Sequence, residues 1–261
     1  MHDLSALPFD RRQQIALRLT LGNTVSAAAL ATEFKVSEDA IRRDLRALTA
    51  EGVCKRVYGG ALPVSPASSP IHVRSAEDVE QKQALVRAAV ALVREGQTVF
   101  LDTGSTNREL AKELPRDAGL TVVTNSVLVA AALMECRGIS LVMIGGSVDP
   151  TIGGCVGTRS IAEIQRFRID LCFLGTCAIS IKHGIAGFNM ADVDFKRGLI
   201  EVSAETALIL TSAKLETTAP HRIASVADVE HLVVEHDAPV AILAALRETG
   251  TAVRIANAPR G

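Results

Sequence analysis

Residues 37–61, Ser-Glu-Asp-Ala-Ile-Arg-Arg-Asp-Leu-Arg-Ala-Leu-Thr-Ala-Glu-Gly-Val-Cys-Lys-Arg-Val-Tyr-Gly-Gly-Ala, constrain this chain more than any other stretch. They describe a short helix with one apolar and one arginine face, followed by a basic hairpin. Ser37 suits an N-cap, and Glu38 and Asp39 suit the positive end of a helix dipole. Ile41, Leu45 and Leu48 recur at i, i+4, i+7 and form one buried stripe. Arg42, Arg43 and Arg46 fall largely off that stripe, and Gly52 is placed to end the helix. Such a helix can lie in a major groove.

The preceding residues extend the pattern. A helix is expected from about Asp10 through Ile15 and Leu19 to Leu21, broken by Gly22-Asn23. Ser26 caps a second, alanine-rich helix through Leu30 and Phe34, and Lys35-Val36 makes the tight turn to Ser37. Three short helices in this order make a helix-turn-helix. Val53 to Ala61 predicts a two-stranded wing, with Lys55, Arg56 and Tyr58 facing the DNA backbone. A plain helical hairpin with a solvated arginine face would account for the charge alone. It would not account for cap, helix, turn, cap, arginine helix, Gly and basic hairpin in succession. Ser26, Ser37, Asp39 and Ala40 join the three arginines and the three wing residues as candidate DNA-binding positions. Asp44 is expected to orient an arginine rather than touch DNA.

The run Val36-Ser37, Ile41-Arg42-Arg43-Asp44-Leu45, Leu48, Gly52, Arg56 and Gly59-Gly60-Ala61 resembles the signature of the DeoR family of bacterial transcription regulators. The resemblance implies that residues 25–44 are the helix-turn-helix proper. Ala40 stands where that family usually has Thr, which removes a hydroxyl, and Tyr58 stands where it usually has His.

At 261 residues the chain can form a small domain plus one of about 200 residues. Net charge is −1 and the pI about 6.6, a weak overall advertisement for nucleic-acid binding. Residues 1–62 carry nine Lys/Arg against seven Asp/Glu, leaving 19 against 22 in the remainder, so the sign of the asymmetry is right. The longest apolar run, Val127 to Met134, is far short of the ~20 residues that span a bilayer. With no secretory signal pattern at the N-terminus, a cytoplasmic protein is expected. Cys54, Cys136, Cys155, Cys172 and Cys177 lack metal-ligand spacing and read as small buried hydrophobes, so no metal or cofactor is expected. The absence of Trp, with a single Tyr, argues against a stacking surface for single strands.

Residues 63–76, rich in Pro and Ser, have linker composition and separate residues 1–62 from a body at 77–256. A helix over Glu77–Glu95 leads into alternating elements. Strands are expected at Thr98–Asp102, Leu120–Thr124, Ile139–Ile144, Asp170–Gly175 and Ala207–Thr211, then near Ile223–Val226, His231–Glu235 and Val253–Ala256. Helices intervene at Asn107–Leu114, Val127–Cys136, Arg159–Arg168, Ala191–Ser203 and Pro239–Glu248. Apolar strands between amphipathic helices predict an α/β fold with a mostly parallel sheet covered on both faces. Ligands of such sheets bind at the carboxyl ends of strands.

The first such end reads Asp102-Thr103-Gly104-Ser105-Thr106-Asn107, a strand running through glycine and two hydroxyls into a helix start, where an anion is favoured. It is neither a Walker loop nor a dinucleotide fingerprint. Two more small polar loops, Thr124-Asn125-Ser126 and Gly145-Gly146-Ser147, are expected to complete a cleft for a hydroxylated, phosphorylated molecule. Lys196 and Lys214 are the candidate cations, Lys214 the better placed at its strand end.

This half also resembles the DeoR family, through Asp102-x-Gly104-Ser105-Thr106, Thr124-Asn125-Ser126, Gly145-Gly146, Asp170-x-x-Phe173-x-Gly175, Gly184, Lys196-Arg197 and Ser212-x-Lys214. The resemblance implies an effector domain with the fold of ribose-5-phosphate isomerase and coenzyme A transferases, binding phosphorylated sugars. Where the family usually has Gly-Ile-Asp this chain has Ala178-Ile179-Ser180, and Thr211 replaces a usual Asp, which removes two carboxylates. The reading is a repressor of carbohydrate-metabolism genes, relieved by a sugar phosphate and gripping double-stranded operator DNA as a homo-oligomer. The alternative is a sugar-phosphate isomerase carrying a DNA-binding module, with Asp102, Asp192 and Asp194 as the available acids. A third reading leaves the body only an oligomerising role.

Overall fold

A computed structural model describes residues 8–20, 24–51, 53–63 and 69–259. Leu21, the Gly22-Asn23 break, Gly52 and the 64–68 part of the expected linker lie outside the described residues, as does the side chain of Lys55.

The N-terminal module comprises α1 (Pro8–Thr20), β1 (Val25–Ser26), α2 (Ala27–Phe34), α3 (Glu38–Ala50), β2 (Cys54–Val57) and β3 (Gly60–Pro63). The expected caps are present, Ser26 Oγ accepting from Ala29 N–H and Ser37 Oγ from Ala40 N–H. α2 stops because Lys35 turns left-handed (φ 53°), while the N–H groups of Lys35 and Val36 reach back to Thr32 and Ala31. That double closure satisfies the terminal carbonyls and sets the angle of the turn. Ile15, Leu19, Leu30, Phe34, Ile41, Leu45 and Leu48 form the core. The wing has a third strand that the sequence pattern did not announce, because β1 is only two residues long and adds to β3 in the order β1-β3-β2. A Cβ on Gly60 would stand 1.9 Å from Val25 O, so only glycine admits that approach.

In the body, α4 (Ile71–Arg74) and α5 (Val79–Ala89) precede a seven-stranded sheet. Its strands are β4 (Thr98–Leu101), β5 (Thr121–Thr124), β6 (Ser140–Met143), β9 (Ile169–Leu174), β12 (Ser203–Leu210), β14 (His231–Val234) and β15 (Ala252–Ile255). All neighbours are parallel, in the order β15-β14-β12-β9-β4-β5-β6. Period-2 alternation sends Val99, Leu101, Leu171 and Phe173 into one core layer and Phe100, Cys172 and Leu174 into the other. α6 (Ser105–Glu113), α7 (Val127–Met134), α8 (Thr158–Ile164), α9 (Met190–Glu201) and α10 (Val240–Glu248) connect the strands. The chain builds outward from β4 through β5 to β6, then returns to β9 and builds the other way. β4 and β9 therefore flank the switch point, where a crevice opens at their carboxyl ends.

Two features depart from the expected elements. Residues 178–187, to which the sequence pattern assigned no element, form β10 (Ala178–Ser180) and β11 (Gly184–Gly187), which join β13 (His221–Ala224) in a small antiparallel sheet. Their glycines and brevity hide the strand pattern. A second small ladder pairs β7 (Val148–Asp149) with β8 (Gly154–Cys155). The helix expected over 77–95 is shorter, because Asp78 takes a left-handed conformation (φ 49°) before α5 and a turn of 3-10 helix follows.

Gly60→Ala should push β1 off β3 and destabilise the N-terminal module by about 1–3 kcal/mol, read as earlier loss of its urea transition.

Candidate nucleic-acid interface and effector pocket

α3 presents its arginines as its stripe requires. Arg42, Arg43 and Arg46 are exposed, while Ile41, Leu45 and Leu48 are buried. Arg42 is held by Glu38 (2.7 Å) and Asp39 (3.4 Å), and Arg46 Nε donates to the Arg42 carbonyl. Exposed pairs of this kind are worth at most about 1 kcal/mol and can give way to a phosphate or base. The Arg43 side chain makes no hydrogen bond or ion pair among the described residues. Asp44 turns the other way, into a 2.6 Å pair with Arg11 of α1, both nearly buried. Arg11 was not singled out in the sequence, since nothing local distinguishes it from Arg12. Ser26 and Ser37 are exposed caps, Ala40 is half-buried, and Arg56 and Tyr58 project from the wing, Tyr58 fully exposed at its tip.

At the switch point Asp102 is fully buried, accepting from Thr103 N–H (2.7 Å) and Gly175 N–H (2.9 Å). Lys196 Nζ lies 3.1 Å from Asp102 and is also bonded to Asp192. Burial alone would pull the Lys196 ammonium down, but the two carboxylates outweigh it and hold its pKa raised. Burial raises the Asp192 carboxyl against the pull of Lys196. Asn107 Nδ2 bridges the carbonyls of Asp102 and Phe173, tying β4 to β9. A Cβ on Gly175 would stand 2.1 Å from Thr103 O, so glycine is needed where the two loops meet.

Above this cluster is a pocket. Gly104, Ser105 and Thr106 line it with Thr176, Cys177, Asn189, Asp192, Lys196 and Lys214, and Ser69, Arg74 and Thr151 close one side. Gly104 leaves α6 without a side-chain cap, whereas α2, α3, α7 and α9 are capped by Ser26, Ser37, Ser126 and Asn189. Free N–H groups at that end are ready for an anion. Lys214 is half-buried, and burial lowers its pKa from 10.5 to about 8.

The structure brings Gly104, Ser105, Thr106, Lys196 and Lys214 to one pocket with Asp102 beneath it. Thr124, Asn125, Ser126, Gly145 and Gly146 do not line it. Thr124 Oγ1 donates to Leu101 O, Asn125 Nδ2 to Cys155 O, and Ser126 caps α7. Gly145 O accepts from Ser160 Oγ, and Gly146 packs against Ser160 and Cys155. The β7–β8 hairpin covers these strand ends: Cys155 N–H donates to Asn125 O and Val127 N–H to Gly153 O. Ser180 Oγ accepts from His183 N–H, closing the β10–β11 turn. Arg74, Ser69 and Thr176 are wall residues that the sequence did not indicate; Arg74 sits in a stretch whose prolines and serines read as linker. Among the described residues no group of three or more His, Cys, Asp or Glu is placed to hold a metal, and no helix is long and apolar enough to cross a membrane.

A winged helix-turn-helix joined to an α/β body with an anion-ready pocket defines a DNA-binding regulator with a sensor domain. Residues 11–67 match the DeoR-like helix-turn-helix domain and residues 77–236 the DeoR C terminal sensor domain, and the chain belongs to the DeoR family of transcription regulators. It is 31% identical to the glycerol-3-phosphate regulon repressor of Escherichia coli K12, over 86% of this chain and 89% of that one. It is 29% identical to the HTH-type transcriptional regulator GolR of Listeria innocua (96% and 99% covered), and 29% to the L-fucose operon activator of E. coli K12 (85% and 93% covered). Among solved structures, ribose 5-phosphate isomerase A of Methanocaldococcus jannaschii aligns over 52% of this chain and 54% of that one, at 17% identity and a TM-score of 0.39, a likeness too distant to carry an argument.

Two outcomes are expected. Arg43→Ala with Arg46→Ala should abolish operator binding in fluorescence anisotropy while ligand binding persists. Asp102→Ala should strip Lys196 of a buried partner and cost the sensor body about 3–5 kcal/mol in urea unfolding.

Proposed function

We propose that this protein is a sugar-phosphate-responsive repressor of carbohydrate-metabolism genes, working in the cytoplasm as a homo-oligomer on double-stranded operator DNA. Residues 1–62 bind DNA, 63–76 connect, and 77–256 sense the ligand. The observation that carries the reading is the uncapped α6 N-terminus facing Ser105, Thr106, Lys214 and Arg74 in one pocket. Backbone N–H groups, hydroxyls and two cations are the donor set a phosphate ester takes. Asp192 and Asn189 on the same wall suit sugar hydroxyls. Two copies are needed because one three-helix module buries too little DNA surface for high specificity. The sign follows the glycerol-3-phosphate regulon repressor rather than the L-fucose operon activator.

We read the site as non-catalytic. An isomerase needs a carboxylate free to take a proton from a substrate carbon. Asp102 is sealed under the pocket by donors from Thr103, Gly175 and Lys196, Asp192 is committed to Lys196, and exposed Asp194 pairs with Arg197. Anisotropy on DNA from upstream of its own coding region, with and without a panel of sugar phosphates, should find one compound that weakens specific binding. A panel without effect, or turnover in a coupled isomerase assay, would refute the reading.

Lys214 adds a pH dependence. Its ammonium is charged below about pH 8 and is lost as pH rises through that value. A phosphate ester, already a dianion there (second pKa about 6), should bind progressively more weakly above pH 8, by up to about tenfold per unit. Lys214→Met should flatten the profile in calorimetric titrations. In the unliganded protein the sign reverses. The unfolded chain holds the proton up to pH 10.5, so stability should rise between about pH 8 and 10.5.

A further inference from the structure

Residues 69–77, which lead from the helix-turn-helix match into the start of the sensor-domain match at residue 77, are fastened to the sensor body and form part of the pocket wall. Ile71 N–H donates to Thr151 O at 3.0 Å, and the Ile71 side chain is buried against Gly153, where even a Cβ would crowd it. Arg74 Nε donates to Ser69 O at 2.8 Å and Ser75 Oγ to Ile71 O, which closes the strap into a compact turn. Lys82, buried on α5, has its ammonium on the carbonyls of Arg74 and Glu77. A buried ammonium committed to two backbone carbonyls is costly unless both bonds hold, so the strap has a defined seat. From that seat Arg74 reaches the main pocket and the adjoining cavity, beside Ser105, Thr106 and Lys214. Its Nε is used within the strap, and among the described residues the terminal guanidinium nitrogens make no hydrogen bond or ion pair that would keep them from an anion.

Resting on the phosphate reading of this pocket, we propose that Arg74 is both an anion ligand and the coupling residue. An effector phosphate clamped between the α6 N-terminus, Lys214 and Arg74 fixes the strap, and so reaches the chain segment leading to the DNA-binding module. A ligand can shift a regulator only through contacts that differ between its states, and a contact made by the connecting segment itself supplies one. The fold needs no long relay of side chains, because the pocket wall and the connector are the same residues.

The test uses the full-length protein and inorganic phosphate as probe, with affinity from calorimetry and amide hydrogen exchange followed over residues 69–77. Phosphate should slow exchange across the strap. Arg74→Gln should weaken phosphate binding by about 10- to 100-fold, the loss of one charge-assisted contact, and abolish the slowing even at saturation. Lys82→Met, which unseats the strap that carries Arg74, should weaken phosphate binding in the same direction as Arg74→Gln and should also lose the protection. If phosphate binds in a Lys214-dependent manner yet Arg74→Gln leaves affinity or strap protection unchanged, the coupling role is overturned and the pocket reading stands. If wild-type protein does not bind phosphate at all, both fall together.

Discussion

The ammonium of Lys196 lies between two buried carboxylates, and the sensor site is organised around it. Each ion alone would cost several kcal/mol to bury, so the cluster persists only because its bonds are complete. Asp102 answers Thr103 and Gly175 as well as Lys196, so one carboxylate registers the loop after β4, the loop after β9 and helix α9. Those three elements bring together Ser105, Thr176 and Asp192, which no strand pairing would align. The cluster also has a polarity. Its one cation is already answered by two carboxylates, so in the reading proposed above a phosphate would lie toward Arg74 and Lys214 and leave the carboxylate side for hydroxyls.

The parts legible in the sequence are those written in local chemistry. Ser26 and Ser37 announce helix starts because a cap is a property of a few consecutive residues, and the Ile41-Leu45-Leu48 stripe fixes which way the arginines face. The central strands read as apolar runs because a parallel sheet buries both faces. The Gly104-Ser105-Thr106 loop was readable because strand, glycine and helix start are contiguous. Asp44 was expected to orient an arginine rather than touch DNA, and it does pair with one, but that partner, Arg11, lies 33 residues away and was not foreseen.

What escaped the sequence depends on distant partners. Arg74 becomes a pocket residue only because Ile71 docks on Thr151, 80 positions away, and Lys82 of α5 holds the strap down. The loops at Thr124 and Gly145 have the right composition for a binding site, but the β7–β8 hairpin bonds to Asn125 and Val127, the Thr124 hydroxyl is turned to Leu101 O, and Ser160 of α8 occupies the Gly145 carbonyl. Composition marks a loop as able to bind; only topology says whether another segment has already claimed it. The small β10-β11-β13 sheet was hidden because β11 opens and closes with glycine, and at Gly184 a Cβ would stand 2.3 Å from Ala224 O.

The acidic start of α3 bears on how the regulator finds its target. Glu38 and Asp39 occupy Arg42 in the free protein, so the helix approaches a random duplex with part of its positive charge already answered. Phosphate contacts supply most of the grip on non-specific DNA, and the chromosome offers millions of such sites. If α3 is the helix that enters the groove, its partial self-neutralisation would lower the grip of each such site. The same carboxylates that look wasteful on a DNA-binding face would then shorten the search and enlarge the fraction of molecules free to occupy the operator.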